Sequence, residues 1–244
     1  MEIRLLPDLD AAGPCQMVSD EALLAEAVVP TLRLYTWTPA TVSLGYFQEY
    51  APIAASLPPG MPIVRRITGG GAIWHEHEVT YALIGRLGSQ GFPERTRDLY
   101  PLLHGAIQAH LAVAGARIGI QAETVGDRRY AQEPRCFASP AADDLVHPQG
   151  GKVLGSAARA RGDRVLVHGS LKLATNSWDQ EVTAGCGLTA AVVQQVLRTA
   201  IPQALGLDGV AGDWTATELA ARETLRQLRY GTTAWVEKRE GPRA

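Results

Sequence analysis

Hydrophobic positions in the first third of the chain recur mainly in short, strand-like runs, and helical spacings dominate its end. Residues 3–6 read as a strand. Residues 13–27 read as a helix, with Met17, Leu23, Leu24 and Ala27 apolar beside the acidic Asp20-Glu21, and Pro30 ends it. Residues 31–37 alternate and are rich in β-formers (Leu32, Leu34, Tyr35, Trp37); Pro39 breaks them, and 41–47 continue as a second strand. This spacing predicts a hairpin. A short helix over 52–57 and a turn at Pro58-Pro59-Gly60 follow. Strands at 63–64 and 79–84 bracket a glycine-rich segment, and 85–95 reads as a loop. Residues 97–114 form a helix whose apolar face is Leu99, Leu102, Leu103, Ile107, Leu111 and Val113. A strand at 117–122 leads into polar 123–134, which carries Arg128-Arg129 and reads as a mobile or partner-facing loop. An acidic pair, Asp143-Asp144, precedes two β-rich runs around Gly162-Asp163, a predicted hairpin.

Two helices, 188–205 and 214–230, close the pattern, and Thr215-x-x-Glu218 has the form of a capping box. The charged end, 237–244, is expected to fray. Early strands, interspersed helices and a helical end predict an α+β domain rather than regular βαβ winding. With no linker, repeat or low-complexity tract, residues 1–244 are expected to form a single domain that includes the helices at 188–230.

Composition narrows the function. The chain is long enough to bury a core without disulfides or metals. A formal charge of −2 gives no support for a nucleic-acid binder. No apolar run approaches the ~20 residues needed to span a bilayer, and the N-terminus lacks the apolar region of a signal peptide. Cys15, Cys136 and Cys186 are far apart and odd in number, which argues against a disulfide framework and for a reducing compartment. A cytoplasmic location is therefore expected. No Cys-x-x-Cys pair is present, so a structural zinc site is not expected.

Candidate chemistry gathers at three places. Gly69, Gly70 and Gly71 allow a ligand to approach the main chain closely, and Arg65 and Arg66 just upstream supply fixed positive charge and bidentate donors. The pattern suits a carboxylate, phosphate or adenylate, and it equally suits a tight hairpin with two solvated arginines. Lys152, between Gly151 and Val153-Leu154, is placed either to hydrogen-bond an acyl carbonyl oxygen and stabilise charge developing on it or to sit on the surface at a hairpin start. Cys136 is either a nucleophile able to form a thioester or a small core residue. Arg159 and Arg161 would serve phosphates or be ordinary hairpin charges. His75 and His77 alternate with Trp74 and Glu76, which would put both on one strand face; as metal ligands they lack a third partner at useful spacing. His104 and His110 read as surface or partly packed histidines.

Several ordered motifs resemble one family. Arg65-Arg66-x-Thr68-Gly69-Gly70-Gly71-Ala72-x-x-His75, followed by Glu78, Thr80 and Tyr81, is similar to the signature loop of lipoate–protein ligases and octanoyltransferases. So are Met17-x-x-Asp20-Glu21-Ala22-Leu23-Leu24, with Gln16 where Asn is usual, and Trp37-x-Pro39-x-Thr41-x-Ser43-Leu44-Gly45-x-x-Gln48. Gly150-x-Lys152-Val153-x-Gly155-Ser156-Ala157, then His168-Gly169-Ser170-Leu171, resembles the family's lysine-bearing hairpin, with Ala158 where Gln often stands. The resemblance spans residues 17–173. It implies the α+β catalytic domain shared by biotin and lipoate protein ligases, with mixed or antiparallel sheets and packed helices.

Cys136-Phe137-x-x-Pro140 resembles the cysteine-dependent octanoyltransferase branch, where ATP-dependent ligases usually carry Asn-Asp. Cys15 and Cys186 match no family nucleophile. The resemblance implies that Cys136 takes an octanoyl group from acyl carrier protein as a thioester and passes it to a lysine of a lipoyl-carrying protein, such as a lipoyl domain or the glycine-cleavage H protein. Lys152 would stabilise the oxyanion. Arg65, Arg66, Gly69, Gly70, Gly71, His75, Gly155, Ser156 and His168 would shape the acyl site, and no metal or redox cofactor is implied. The alternatives are an ATP-dependent lipoate–protein ligase using ATP and Mg²⁺, a lipoyl amidotransferase working through the same cysteine, and a catalytically silent acyl- or cofactor-binding protein.

Overall fold

The computed structural model describes residues 1–126, 129–130 and 132–241. Arg128, in the segment expected to be mobile, and the last three residues of the end expected to fray lie outside the described residues. In chain order the elements are β1 (Glu2–Leu5), β2 (Leu9–Ala11), α1 (Gly13–Glu26), β3 (Thr31–Trp37), β4 (Thr41–Leu44), α2 (Tyr50–Ala55), β5 (Ile63–Arg65), β6 (Ile73–His75) and β7 (Glu78–Arg86). They continue as α3 (Leu99–Val113), β8 (Gly119–Ile120), β9 (Leu145–Val146), β10 (Lys152–Arg161), β11 (Arg164–Lys172), α4 (Ala190–Ala204), β12 (Asp208–Ala211), α5 (Ala216–Leu225) and α6 (Thr233–Lys238).

A nine-stranded sheet runs β12-β1-β3-β7-β11-β10-β9-β8, with β2 paired beside β3. It is mixed: β1 is parallel to both β12 and β3, whereas β3, β7, β11, β10, β9 and β8 pair antiparallel in succession. Alternation along the strands explains what covers each face. Leu32, Leu34, Val79, Tyr81, Leu83, Val165 and Val167 pack with α3 and α4 residues such as Leu103, Ile107, Leu197 and Ile201. The intervening Tyr35, Ala82, Ile84 and Leu166 pack with Met17, Leu23 and Leu24 of α1 and with Leu225, Tyr230 and Trp235 near the C-terminus. The expected α+β architecture, mixed sheets with helices packed on them, is what the chain forms. The hairpin around Gly162-Asp163 also forms, as β10 and β11.

The predicted hairpin of 31–37 with 41–47 does not form. After Pro39 the chain leaves the large sheet, and β4 becomes the centre of a second sheet, β5-β4-β6. The glycine segment therefore joins the two outer strands of this small sheet. Two short strands, β2 and β12, carry no alternation that the sequence could reveal. The C-terminal end is also more ordered than expected over its described part. Thr232 caps α6, Trp235 is buried, and Arg239 bonds the Phe47 carbonyl and the Glu49 carboxylate. Thr215 and Glu218 form the predicted capping box of α5.

Candidate active site

The large sheet presents a polar strip where its apolar alternation stops. Glu78 and Thr80 of β7 and His168, Ser170 and Lys172 of β11 share one face, fixed by register pairs such as Thr80 with Ser170. The small sheet leans over this strip and closes a cavity of about 280 Å³. Met17, Trp37, Ile73 and Tyr100 line it with apolar surface; Arg66, Gly69, Gly70, His75, Cys136, Lys152, Gly155, Ser156 and His168 also face it. Sequence reasoning named all nine of this last group. Two of its candidates are not in the lining, Arg65 and Gly71.

Arg65 turns away from the cavity. Its guanidinium donates to the carbonyls of Gly45, Tyr46, Gln48 and Val236, so it ties the small sheet to the C-terminal helix. This corrects its expected place in the acyl site. Arg66 faces the cavity and donates to the carbonyls of Ser43, Gly69 and Gly71, holding the glycine loop in shape. Gly71 seats the cysteine. A Cβ there would fall 2.7 Å from both the Cys136 nitrogen and the Pro134 oxygen. The space it leaves lets residues 134–136 run alongside Ala72, which receives a bond from the Cys136 N–H (2.9 Å) and donates to the Pro134 carbonyl (2.7 Å).

Cys136 lies 3.9 Å from the Lys152 ammonium, Sγ to Nζ, although the two stand on different segments. Lys152 is buried, and its Nζ meets the Asp144 carboxylate at 2.7 Å. Burial disfavours its charged form, but Cys136 and Asp144 outweigh this and hold the ammonium's pKa above its ordinary value. The lysine chain folds back over Gly155, where a Cβ would fall 2.3 Å from Cε and 2.5 Å from Nζ. The buried Phe137 ring stands between Lys152 and Lys172, 5.3 Å from each ammonium. Tyr130 hydrogen-bonds Cys136, and burial followed by the cysteine's charge pushes its phenol upward.

Buried relays support the rest of the cavity wall. His75 meets Glu78 through Nδ1 (2.7 Å) and Ser43 through Nε2 (2.7 Å). The acidic partner requires Nδ1 to carry the proton, so Nε2 accepts from the Ser43 hydroxyl. Trp37 stacks on this imidazole at 3.8 Å and donates to Thr80. Burial, only partly opposed by Glu78, pushes the His75 imidazole down to about 4, so it is neutral near pH 7. Glu78 also pairs with Lys172 at 2.7 Å. His168 bridges Thr68 (2.7 Å) and Asp20 (3.0 Å), and Asp20 continues to Arg33 and Tyr35. His77, expected on the same strand face as His75, is instead exposed in a left-handed turn beyond β6 (φ 50°). Among the described residues, no group of three or more His, Cys, Asp or Glu side chains is arranged to hold a metal ion.

His104 and Asp144 are among the residues of the site that escaped the sequence reading. His104 is not a surface or partly packed histidine. It is buried, and it joins the Asp143 carbonyl (2.7 Å) to Ser156 Oγ (2.7 Å), which also meets the Tyr81 hydroxyl. Asp144 was visible only as half of an acidic pair. No spacing rule connects a loop acid to a lysine on a strand eight residues later. Arg159 and Arg161 are not cavity-lining groups: Arg161 pairs with Glu21, and Arg159 lies over the Tyr46 ring.

An ammonium beside a thiol, in a partly apolar cavity, is suited to acyl transfer through sulfur. Comparison with known proteins agrees with this geometry. The profile of the lipoyl protein ligase A/B catalytic domain matches residues 15–196. Octanoyltransferase LipM of Moorella thermoacetica is 36% identical over 203 residues, which make up 80% of this chain and 74% of that protein. Octanoyltransferase LipM of Carboxydothermus hydrogenoformans is 35% identical over 176 residues, 69% of this chain and 64% of that one. The fold is similar to that of lipoate-protein ligase A bound with ATP, with TM-score 0.78, 19% identity, and 97% of this chain and 99% of that chain covered. A bi-partite lipoate protein ligase from Thermoplasma acidophilum gives TM-score 0.78 at 18% identity, with 100% and 99% covered. At such identities the structural likeness speaks for fold alone, whereas the profile match and the sequence relatives go further: this chain belongs to the lipoyl protein ligase A/B catalytic-domain family.

Proposed function

We propose that this protein is an octanoyltransferase of the cytoplasm that moves an octanoyl group from acyl carrier protein to a lysine of a lipoyl-carrying protein, with Cys136 as the carrier between them. The observation that carries this reading is the 3.9 Å approach of Lys152 Nζ to Cys136 Sγ inside the cavity. The names of the sequence relatives support the octanoyl group and the transfer.

In the first step the Cys136 thiolate attacks the carbonyl carbon of the carrier's octanoyl thioester. A carbon–sulfur bond forms to Sγ, the bond to the carrier sulfur breaks, and the carrier leaves as a thiolate that takes a proton from solvent. In the second step the neutral amine of the acceptor lysine attacks the enzyme thioester. A carbon–nitrogen bond forms, the bond to Sγ breaks, and the amine proton is released as the Cys136 thiolate returns. Negative charge collects on the acyl oxygen in both tetrahedral intermediates. The ammonium of Lys152 has three donors; with Asp144 and Cys136 engaged, the third is available to that oxygen. The octanoyl chain lies against Met17, Trp37, Ile73 and Tyr100. Neither step as written uses a nucleotide, metal or redox cofactor.

The test is the intact mass of the protein after incubation with octanoyl-acyl carrier protein without ATP. Wild type gains one octanoyl group, and Cys136→Ala gains none while keeping its circular dichroism. An acceptor modified at the wild-type rate by Cys136→Ala would overturn the reading. Modification only when free lipoate and ATP are added would make the protein a ligase.

A further inference from the structure

Lys152 has two partners in the site, and the first chemical step changes only one of them. Cys136 Sγ stands at 3.9 Å and Asp144 Oδ2 at 2.7 Å. Resting on the reading of Cys136 as the acyl carrier, we propose that Asp144 is a positioning residue for the second half-reaction: it keeps Lys152 charged and in place once acylation has made the Cys136 sulfur neutral.

The geometry suits that task. Lys152 is 3% exposed and Asp144 4%, so an ammonium left without a counter-charge here would give up its proton. The carboxylate and the main chain that carries it are both held. Asp144 Oδ2 accepts from the Ala141 N–H at 2.6 Å, and the Asp144 carbonyl accepts from the Gln121 N–H at 2.8 Å. The preceding residue, Asp143, has φ of 72°, donates to the Gln121 carbonyl and accepts from His104 Nδ1. Lys152 is fixed in turn by main-chain bonds to Val182 and Ala184. These bonds hold the Asp144 main chain and one of its carboxylate oxygens in place.

The other groups around the pair do not replace Asp144. Arg66 faces Cys136 from the glycine loop and Tyr130 faces it from the preceding segment; His104 faces Asp144 and Lys152 from α3; Lys172 stands beyond Phe137 on β11. Of these, Arg66 and Lys172 are cationic, and burial lowers the His104 imidazole and raises the Tyr130 phenol, so neither of these offers an anion near pH 7. The pull of Asp144 on Lys152 is also visible in the raised ammonium, for which burial alone would act in the opposite direction.

Two measurements test this. The first needs no acyl transfer. In Cys136→Ala, which removes the sulfur's charge permanently, the ¹³Cε resonance of Lys152 is titrated with and without Asp144→Asn. The expected result is a midpoint lower by at least about one pH unit when Asp144→Asn is added, and restored by Asp144→Glu. Midpoints agreeing within a few tenths of a unit would overturn the proposal. The second follows both half-reactions by mass. Asp144→Asn is expected to slow formation of the octanoyl adduct less than it slows the transfer that follows. It then passes the group to a lipoyl domain at least about tenfold more slowly, with an alkaline limb displaced to lower pH. Equal slowing of both steps, or unchanged transfer, would show that Asp144 is only structural. If wild type itself forms no adduct, the octanoyl-transfer reading fails, and the Lys152 titration still decides whether Asp144 holds the charge.

Discussion

Gly155 shows how little space separates Lys152 from its own strand. Any side chain there occupies the volume that Lys152 Cε and Nζ now fill. The lysine tip is flexible, so Gly155→Ala is expected to fold and to displace the ammonium by about the distance of the overlap. A misplacement near 1 Å costs on the order of a hundredfold in rate. Transfer assays at unchanged melting temperature check this; near-wild-type turnover would mean that the lysine finds an equivalent position. Arg65 behaves in the opposite way. Its loss removes a donor from the carbonyls of Gly45, Tyr46, Gln48 and Val236, and Arg65→Met is expected to cost about 3 kcal/mol of stability. Denaturant unfolding should show the loss, while Cys136 still accepts octanoyl groups at temperatures where the variant is folded. Family resemblance made the positions of Cys136 and Lys152 legible in the sequence. The division of labour between Arg65 and Arg66 was not, because adjacent residues on a strand point to opposite faces and the sequence does not say which face holds the cavity.

At the scale of elements, the two β-rich runs around Gly162-Asp163 were enough to predict the hairpin of β10 and β11, but not that β11 pairs with β7 to lay the strip of polar residues that floors the cavity. The pairing of 31–37 with 41–47 failed for a different reason. Nearness in sequence favours a hairpin, but β4 finds its partners in β5 and β6, whose contacts are set by the packing of Val42 and Leu44 against Ile53, Ala72 and Trp74. The C-terminal helices were visible, but not what ties them down. Glu21 of α1 is buried and receives Arg229, Arg161 and the Tyr230 hydroxyl. A carboxylate in the middle of a helix gives no sign of partners some two hundred residues away. Removing it leaves buried positive charge uncompensated, and Glu21→Ala is expected to cost about 3–5 kcal/mol. Urea unfolding followed by tryptophan fluorescence measures this. A change below about 1 kcal/mol would show that the network is dispensable.

For the molecule as a whole, buried histidines make stability depend on pH. The His75 imidazole is pushed down to about 4 in the folded protein, against about 6.5 in an unfolded chain. Between those values the unfolded state holds a proton that the native state refuses. Stability is therefore complete above about pH 6.5 and declines as pH falls toward 4, by about 3 kcal/mol for this group. His104, lowered chiefly by burial, acts in the same direction. Denaturation midpoints at pH 7.5, 5.5 and 4.5 should fall in that order, and His75→Gln should flatten the decline; an unchanged slope in that variant would assign the effect elsewhere.

The cysteine joins the rest of the site through a seam of main-chain bonds between Ala72 and residues 134–136. Peptide groups are the same whatever side chains they carry, so this seam sets few demands on the letters at position 136 itself. The lysine, by contrast, belongs to the central sheet and is locked to the emptiness of Gly155. Cys136 and Lys152 thus differ in how freely their positions admit another residue. A point substitution at position 136 changes the side chain that faces the cavity without breaking the seam, while Lys152 and the sheet that carries it stay as they are.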